Sequence, residues 1–559
     1  MRTTLGRSPL SFVNACTDWL GHLAVAPGLQ QQLLALAIDR SIQLWTYAAT
    51  CALTGARQAD PCVTPLPQDK RFADPSWSTW PFNVIQQAFL MQQDWWEQAT
   101  TMAPGISPHN ARAVSFLARQ VLDQFAPSNF VATNPVVLRK TLETGGRNLW
   151  DGARNFSDDL QRVLSDRPPA GAEAYRVGDT VACTPGSVIF RNELIELIQY
   201  SPMTDQVYPE PVLIVPAWIM KYYILDLSPE NSLVRHLVQA GHTVFMISWR
   251  NPHPENRDLG IDDYLSLGID AALATVKTVV PGHPIHAVGY CLGGTLLATA
   301  AAALGRRKHQ SLKTLTLLAA QTDFADAGEL TLFIDESEVT FLEDLMWQRG
   351  ILEARQMAGA FHLLRSNDLI WSRVVRDYLL GSRLPMSDLM AWSLDATHMP
   401  YRMHSEYLRR FFLNNDLAAG RYVVDGMPIG LSNIDVPMFV VGTEWDHVAP
   451  WRSVYKIHLQ ADVDVTFTLT TGGHNVGIIN PPMNSKREYR IGTHAHTAAY
   501  VSPDQWLVSH AANPGSWWMA WMEWLKARSS ARQAPPSIGA PASGLRPIEA
   551  APGSYVFDR

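Results

Sequence analysis

The chain has 559 residues, of which 47% are hydrophobic and 17% charged, and its formal net charge is −7. That length and apolar content suffice for a large packed core, and the charged fraction lies below the roughly 25% typical of soluble chains. The acidic balance disfavours nucleic acid as a partner, and five cysteines without a CxxC pair fit neither a disulfide framework nor a zinc module.

The cysteine pattern fits a reducing compartment. No apolar run reaches the roughly 20 residues that span a bilayer. Arg2 and Arg7 are followed by Asn14, Asp18 and His22, which break up any signal-peptide core. The expectation is a cytoplasmic protein with no transmembrane segment and no metal. The 19 tryptophans cluster at Trp77/Trp80, Trp95/Trp96 and Trp517/Trp518/Trp521/Trp524. Clusters of this kind serve either core packing or contact with an apolar surface.

Residues 1–190 read as a helical N-terminal domain. Apolar residues recur at helical spacing over Leu10 to Ala26 and Leu29 to Leu53, with Pro27 and Gly28 between them. Trp80–Trp96, Ala111–Phe125 and Val136–Phe156 read as further helices. From Ser187 to Tyr200 the pattern changes to strand pairs. Val212–Val215, Thr243–Ser248, Pro284–Val288 and Thr314–Ala319 then read as strands, alternating with helices at Ser232–Gln239, Ile261–Val279 and Gly293–Leu304. Such alternation indicates a mostly parallel sheet with right-handed crossovers. It stops after Asp326 and resumes at Met438–Val441 and Asp464–Leu469. Residues 191–559 therefore read as one catalytic domain, with a helical, aromatic lid inserted at about 327–425. The stretch from Ala527 to Ser543, rich in Ala, Pro, Ser and Arg, reads as loose.

The chemistry is carried by Gly289-Tyr290-Cys291-Leu292-Gly293, a G-x-C-x-G box between a strand and a helix. This is the nucleophile elbow of an α/β-hydrolase fold with cysteine in place of serine. A helix N-terminus beneath the sulfur favours negative charge there and on an oxyanion. That fold orders its partners as nucleophile, acid, base. Asp446 follows the strand Met438–Val441, and His474 follows Asp464–Leu469 behind two glycines, so Cys291, Asp446 and His474 satisfy the order. His447 is a weaker base because it adjoins Asp446, and Asp323 is the competing acid. His283 and His286 lack a third metal ligand, and His494 and His496 read as surface residues. The oxyanion amides are assigned to Leu292, which follows the nucleophile, and to Trp218 in the loop after an earlier strand.

Several segments in order resemble the polyhydroxyalkanoate synthases. Thr17-Asp18-Trp19-Leu20 through Pro27-Gly28 is similar to the short N-terminal segment of a subset of polyhydroxybutyrate polymerases. Pro127-Ser128-Asn129-Phe130, Tyr222-Tyr223-Ile224-Leu225-Asp226-Leu227, Ser248-Trp249-Arg250-Asn251-Pro252, the Gly289–Gly294 box, Arg365 to Trp371, Asp446 to Trp451 and Ala551 to Val556 continue the resemblance. It departs at Asn475, where family members often carry Ile. The resemblance implies a single-subunit acyltransferase that polymerises (R)-3-hydroxyacyl-CoA, with 3-hydroxybutyryl-CoA the expected substrate. It places the triad on Cys291, Asp446 and His474 and implies a cysteine acyl-enzyme. No cofactor is implied, because coenzyme A is only the leaving group. The implied partners are the growing polyester, the surface of a storage granule and a second subunit in a homodimer. The lid residues Phe361, Leu363, Leu364, Trp371, Met390 and Trp392 would keep water out. Two other functions fit the same segments: an ester hydrolase or depolymerase on this fold, and a non-catalytic granule-associated protein.

Overall fold

In a computed structural model of the chain, residues 8–54, 59–66, 69–357, 370–484 and 486–559 are described. The chain divides into two units, one formed by Met1–Ala170 with Ala358–Pro385 and the other by Gly171–Met357 with Met386–Arg559. The expected boundary at 190/191 falls inside the first strand of the second unit, Gly186–Arg191. The inserted region expected at 327–425 is itself divided, because its described residues 370–385 belong with the N-terminal helices.

The first unit contains six α-helices among its described residues up to 170: α1 Pro9–Ala24, α2 Pro27–Thr54, α3 Phe82–Thr101, α4 Pro108–Gln124, α5 Pro135–Glu143 and α6 Arg147–Leu164. Proline opens α1, α4 and α5, where its missing N–H costs no bond. Ser107 caps α4 and Asn134 caps α5. The single helix expected at Val136–Phe156 is broken in two. Gly145 and Gly146 stand at φ +57° and +86°, a left-handed turn that β-carbon-bearing residues rarely adopt. Phe72, Trp77, Phe89, Leu90, Leu122 and Ala126 form the main apolar core of this unit.

The segment after residue 370 packs on α6 within the same unit. Gly152 of α6 lies so close to the Tyr378 carbonyl that a β-carbon would stand 1.8 Å from its oxygen. Arg383 donates to Asp158 and Asp159, and Tyr378 and Arg373 also donate to Asp159. Charge-assisted bonds to one carboxylate from three donors fix the segment in place.

The second unit is built on one sheet. Its strands are β1 Gly186–Arg191, β2 Ile195–Tyr200, β3 Tyr208–Val215, β4 His242–Trp249, β5 Ile285–Tyr290, β6 Leu312–Leu318, β7 Met438–Thr443, β8 Val465–Thr470, β9 Glu488–His494, β10 Asn513–Pro514 and β11 Glu549–Ala550. Their order across the sheet is β10-β9-β8-β7-β6-β5-β3-β4-β2-β1-β11. The middle, from β4 through β8, is parallel. The strands at both flanks run antiparallel. Central strands are buried along their whole length, as a parallel sheet covered on both faces requires.

The tail expected to be loose is instead tied down. Val207 and Gln533 exchange backbone hydrogen bonds, Ser530 donates to Glu210, and Gln199 bonds Ser537 and Gly539. Glu210 and Gln199 sit on buried strand positions, so their polar atoms need partners, and the tail supplies them. The four tryptophans of the helix Trp517–Lys526 are core residues. Trp80, by contrast, is exposed. No helix among the described residues is long and apolar enough to cross a membrane.

In the second unit His242, His286 and His404 are buried and His458 is partly so, and desolvation pushes His286, His404 and His458 down to about 4 and His242 to about 3. Each folded pKa lies below the unfolded value near 6.5, so the unfolded chain binds protons first as the pH falls. Stability is therefore expected to fall as pH drops from about 6.5 towards 4. The melting temperature measured between pH 7 and pH 5 should decline, and a flat or rising curve would contradict this account.

Candidate active site

Cys291 stands between the end of β5 and the helix Leu292–Arg306, which is buried from Leu292 through Leu304. Its backbone lies at φ 51°, ψ −124°, outside the regions that ordinary residues favour. Three glycines make this turn possible. A β-carbon on Gly289 would fall 2.4 Å from the Gly294 α-carbon, and one on Gly294 would fall 2.4 Å from the Ala320 β-carbon. One on Gly293 would fall 2.3 Å from the Val215 carbonyl oxygen. The Cys291 N–H donates to the Leu318 carbonyl at 2.9 Å, which ties the turn to β6.

Asp446 lies beyond β7 and His474 beyond β8. The loops that carry them are joined through the backbone, Glu444 N–H to Thr470 O and Trp445 N–H to Gly472 O, both at 3.0 Å. Asp446 Oδ2 lies 2.8 Å from His474 Nδ1 and accepts from the Thr443 hydroxyl at 3.1 Å. Its Oδ1 accepts from the Val448 and Ala449 amides at 2.9 and 2.8 Å. Burial alone would raise this carboxyl, but the His474 charge and these donors hold it below the usual carboxylate range. His474 is subject to the opposite balance. Burial works against its charged form, yet the charges of Asp446 and Cys291, and hydrogen bonds to both, hold its pKa well above the ordinary histidine value. The structure thus joins His474 to Asp446 by a hydrogen bond and sets Cys291 close enough for its charge to act on the His474 ring. With Nδ1 occupied by Asp446, Nε2 is the ring nitrogen left for the sulfur side.

Leu292 occupies the first helical position, so its amide has no acceptor within the helix. Trp218 is buried in the loop after β3, and the contact of Gly293 with Val215 and Pro216 brings that loop against the elbow. The Thr397 hydroxyl holds the loop, donating to Trp218 O at 2.7 Å and accepting from Met220 N at 2.8 Å. Trp249 supports it from below through a 2.9 Å bond to the Pro216 carbonyl. Gly268, whose β-carbon would strike the Trp249 ring at 2.7 Å, makes room for that indole.

An aromatic wall stands around these groups. Trp218 packs on Tyr264 and Tyr407, and Tyr407 packs on Phe324, Phe411 and Phe412. Burial pushes the Tyr407 phenol far above its ordinary range, and the nearby charge of Cys291 adds to that. Neither Tyr407 nor Thr397 stands in a local motif. Each reaches the site from the inserted region between β6 and β7, so no sequence spacing points to it.

The competing residues lie elsewhere. His447 is exposed. Asp323 accepts from Asn415 and from the Ala325 amide and lies 3.6 Å from Lys456. His286 bonds Thr314 and Ser529 inside the sheet, His496 pairs with Asp464, and His494 packs on His458. Among the described residues no group of three His, Cys, Asp or Glu side chains could hold a metal ion. Of the expected lid residues, Phe361, Leu363 and Leu364 lie outside the described residues. Trp371 belongs to the first unit, Trp392 is buried and donates to Lys221 O at 2.8 Å, and Met390 is exposed.

Residues 68–237 match the family model for the poly-beta-hydroxybutyrate polymerase N-terminus, and residues 2–28 match the model for the poly-beta-hydroxybutyrate polymerase N terminal segment. Residues 210–480 match the alpha/beta hydrolase fold, in agreement with the largely parallel sheet and its elbow. The poly(3-hydroxyalkanoate) polymerase of Methylorubrum extorquens is 41% identical over 518 residues, covering 91% of this chain and 84% of that protein. The poly(3-hydroxyalkanoate) polymerase subunit PhaC of Cupriavidus necator is 37% identical over 497 residues, covering 87% of this chain and 83% of that protein. That of Rhizobium etli is 36% identical over 495 residues, covering 88% of this chain and 77% of that protein. A chain with this elbow, matched to such relatives over most of its length and most of theirs, belongs to the poly(3-hydroxyalkanoate) polymerase family of enzymes.

Proposed function

We propose that the enzyme is a polyhydroxyalkanoate synthase that moves the acyl group of (R)-3-hydroxybutyryl-CoA onto Cys291 and from there onto the 3-hydroxyl of another unit. The observation that carries this reading is Cys291 at a glycine-bounded strand-to-helix turn, with His474 close enough to feel its charge and bonded at 2.8 Å to a buried Asp446. His474 Nε2 takes the thiol proton, and the sulfur attacks the thioester carbonyl. The amides of Leu292 and Trp218 meet the oxyanion. Coenzyme A leaves as its thiolate and takes up the proton held on His474. The acyl-Cys291 product is again a thioester, so it stays activated at little change in free energy. A 3-hydroxyl, deprotonated by His474 with Asp446 behind it, then attacks the carbonyl, forms an oxyester and expels the Cys291 thiolate. The aromatic wall of Trp218, Tyr407, Phe324 and Phe412 favours this over hydrolysis by leaving water few polar partners near the acyl group.

Two further readings concern the first unit. Leu34, Ile38, Ile42 and Trp45 are exposed along α2 at spacings of four, four and three, one continuous apolar stripe. Such a stripe suits an apolar polymer surface in the way an interfacial helix suits a lipid boundary. The proposed location is accordingly the granule surface in the cytoplasm, with a homodimer interface as the competing use of the same stripe.

Cys291→Ala is expected to abolish CoA release and acyl-enzyme formation, and Cys291→Ser to lose most activity because an alcohol is far harder to ionise than a thiol. Full CoA release by the alanine variant would remove Cys291 from the mechanism. Comparing CoA released with free acid released separates polymerisation from hydrolysis.

His474→Ala should lose on the order of 10²-fold or more in CoA release. Asp446→Asn divides the steps. If Asp446 assists the incoming hydroxyl, single-turnover acylation of Cys291 persists while elongation stalls, whereas an equal fall in both steps leaves it orienting His474 alone. Unchanged rates in both steps would remove Asp446 from the mechanism.

For the surface role, Ile38→Glu with Ile42→Lys in the full chain should leave CoA release intact but shift the enzyme from the granule fraction to the soluble fraction of polymer-forming cells. Undiminished granule binding would refute it, and a dimer that falls apart in sedimentation would assign the stripe to the subunit interface.

A further inference from the structure

A side-chain hydrogen bond crosses the site one residue away from Cys291 and His474. Tyr290 precedes Cys291 and Asn475 follows His474. Tyr290 is 2% exposed, and its hydroxyl donates to Asn475 Oδ1 at 2.6 Å. Its ring lies 5.7 Å from the His474 ring, at an interplanar angle of 38°. Burial, with the charges of Cys291 and Asp446 adding to it, pushes the phenol far above its ordinary range, so it stays a donor.

The topology gives this bond its importance. β5 and β8 are not neighbours in the sheet, because β6 and β7 stand between them. At ordinary strand spacing the ends of β5 and β8 are separated by roughly 14 Å. The acid loop reaches the base loop through backbone bonds from Glu444 and Trp445, since β7 adjoins β8. The elbow stands too far away for the same device and has to be joined by side chains. The base loop is already held on its other sides. Gly477 N–H donates to Gly473 O at 2.8 Å, Ile478 and Ile479 donate to Asn475 O, and the indoles of Trp517 and Trp518 donate to Gly477 O and Ile478 O. Tyr290 supplies the tie on the side that faces the nucleophile.

We propose that Tyr290 and Asn475 are positioning residues whose hydrogen bond sets the distance and angle between the Cys291 sulfur and the His474 ring. The proposal rests on the nucleophile and base roles given above. The bond joins the sequence neighbours of Cys291 and His474 and involves neither reacting side chain, so it can persist while sulfur and ring part and meet again in each cycle. Without it His474 keeps Asp446, through Nδ1, but loses its alignment towards sulfur.

The test uses the full-length enzyme with Tyr290→Phe, Asn475→Leu and the double variant. CoA release from 3-hydroxybutyryl-CoA gives kcat and KM, iodoacetamide gives the pH profile of Cys291 alkylation, and thermal melting reports folding. Each single variant is expected to lose on the order of tenfold or more in kcat, with KM changed by about twofold at most. The alkylation profile should move to higher pH in both. The double variant should be no worse than the poorer single one, because both changes remove the same bond. Wild-type kcat and alkylation profiles in the folded single variants would overturn the proposal, as would losses that multiply in the double variant. Should Tyr290→Phe fail to fold, Asn475→Leu decides by itself. If alkylation of wild-type Cys291 leaves CoA release intact, the nucleophile assignment falls, a result distinct from failure of the tether.

Discussion

Where β5 turns into its helix, backbone meets backbone with no room for a methyl group between Gly289 and Gly294 or between Gly293 and the end of β3. This close approach is the constraint from which the rest of the site follows. It forces Cys291 into a conformation that ordinary residues avoid and lifts its side chain out of the sheet. It also drives the helix N-terminus against the segment that leads into Trp218, so the two candidate amides belong to elements in close contact. The strain is held by what surrounds it: a helix buried over its whole forward length, and an amide bond from Cys291 to β6.

The electrostatics of the site depend on a carboxylate that is out of water but not out of partners. Asp446 has bonds from the Thr443 hydroxyl, the Val448 and Ala449 amides and the His474 ring. An uncompensated charge at such depth would be prohibitive, and with these donors it remains ionised and acts on His474. The elevated basicity of His474 is therefore a property of three loops together and not of the histidine loop alone.

How much of this was legible beforehand varied with the range of the interaction responsible. The elbow is a local motif bounded by a strand and a helix, and Cys291, Asp446 and His474 could be chosen by chain order, because a parallel sheet delivers its strand ends to one edge. Helices α1 to α4 follow local periodicity, with a serine cap at the start of α4. Periodicity ran straight through Gly145 and Gly146, since a left-handed pair leaves no apolar signature. The flanking strands β9, β10 and β11 were missed: β10 and β11 have two residues each, and β9 is only half-buried, so no alternation marks them. The tail from 527 onwards has the composition of a linker, yet it is fixed by the unmet polar groups of distant strand residues. Thr397, Tyr407 and the Tyr290–Asn475 bond arise from tertiary proximity, which no spacing in the chain encodes.

The seat of residues 370–385 on α6 has a consequence for the order in which the protein can be assembled. Asn148 and Leu379, joined by a hydrogen bond, are 231 positions apart. During synthesis α6 emerges long before its partner, with Asp159 lacking the arginines and the tyrosine that will bind it and Asp158 paired only with Arg162 of the same helix. The ribosome must add the whole first half of the catalytic sheet, β1 to β6, before the segment that completes the helical unit appears, and β7 and β8 come only after that. The two units are thus interleaved in time as well as in sequence. Neither can reach its final form as an uninterrupted stretch of nascent chain, and a ribosome stalled before residue 370 would display an α6 whose contact face is finished in sequence but still unoccupied.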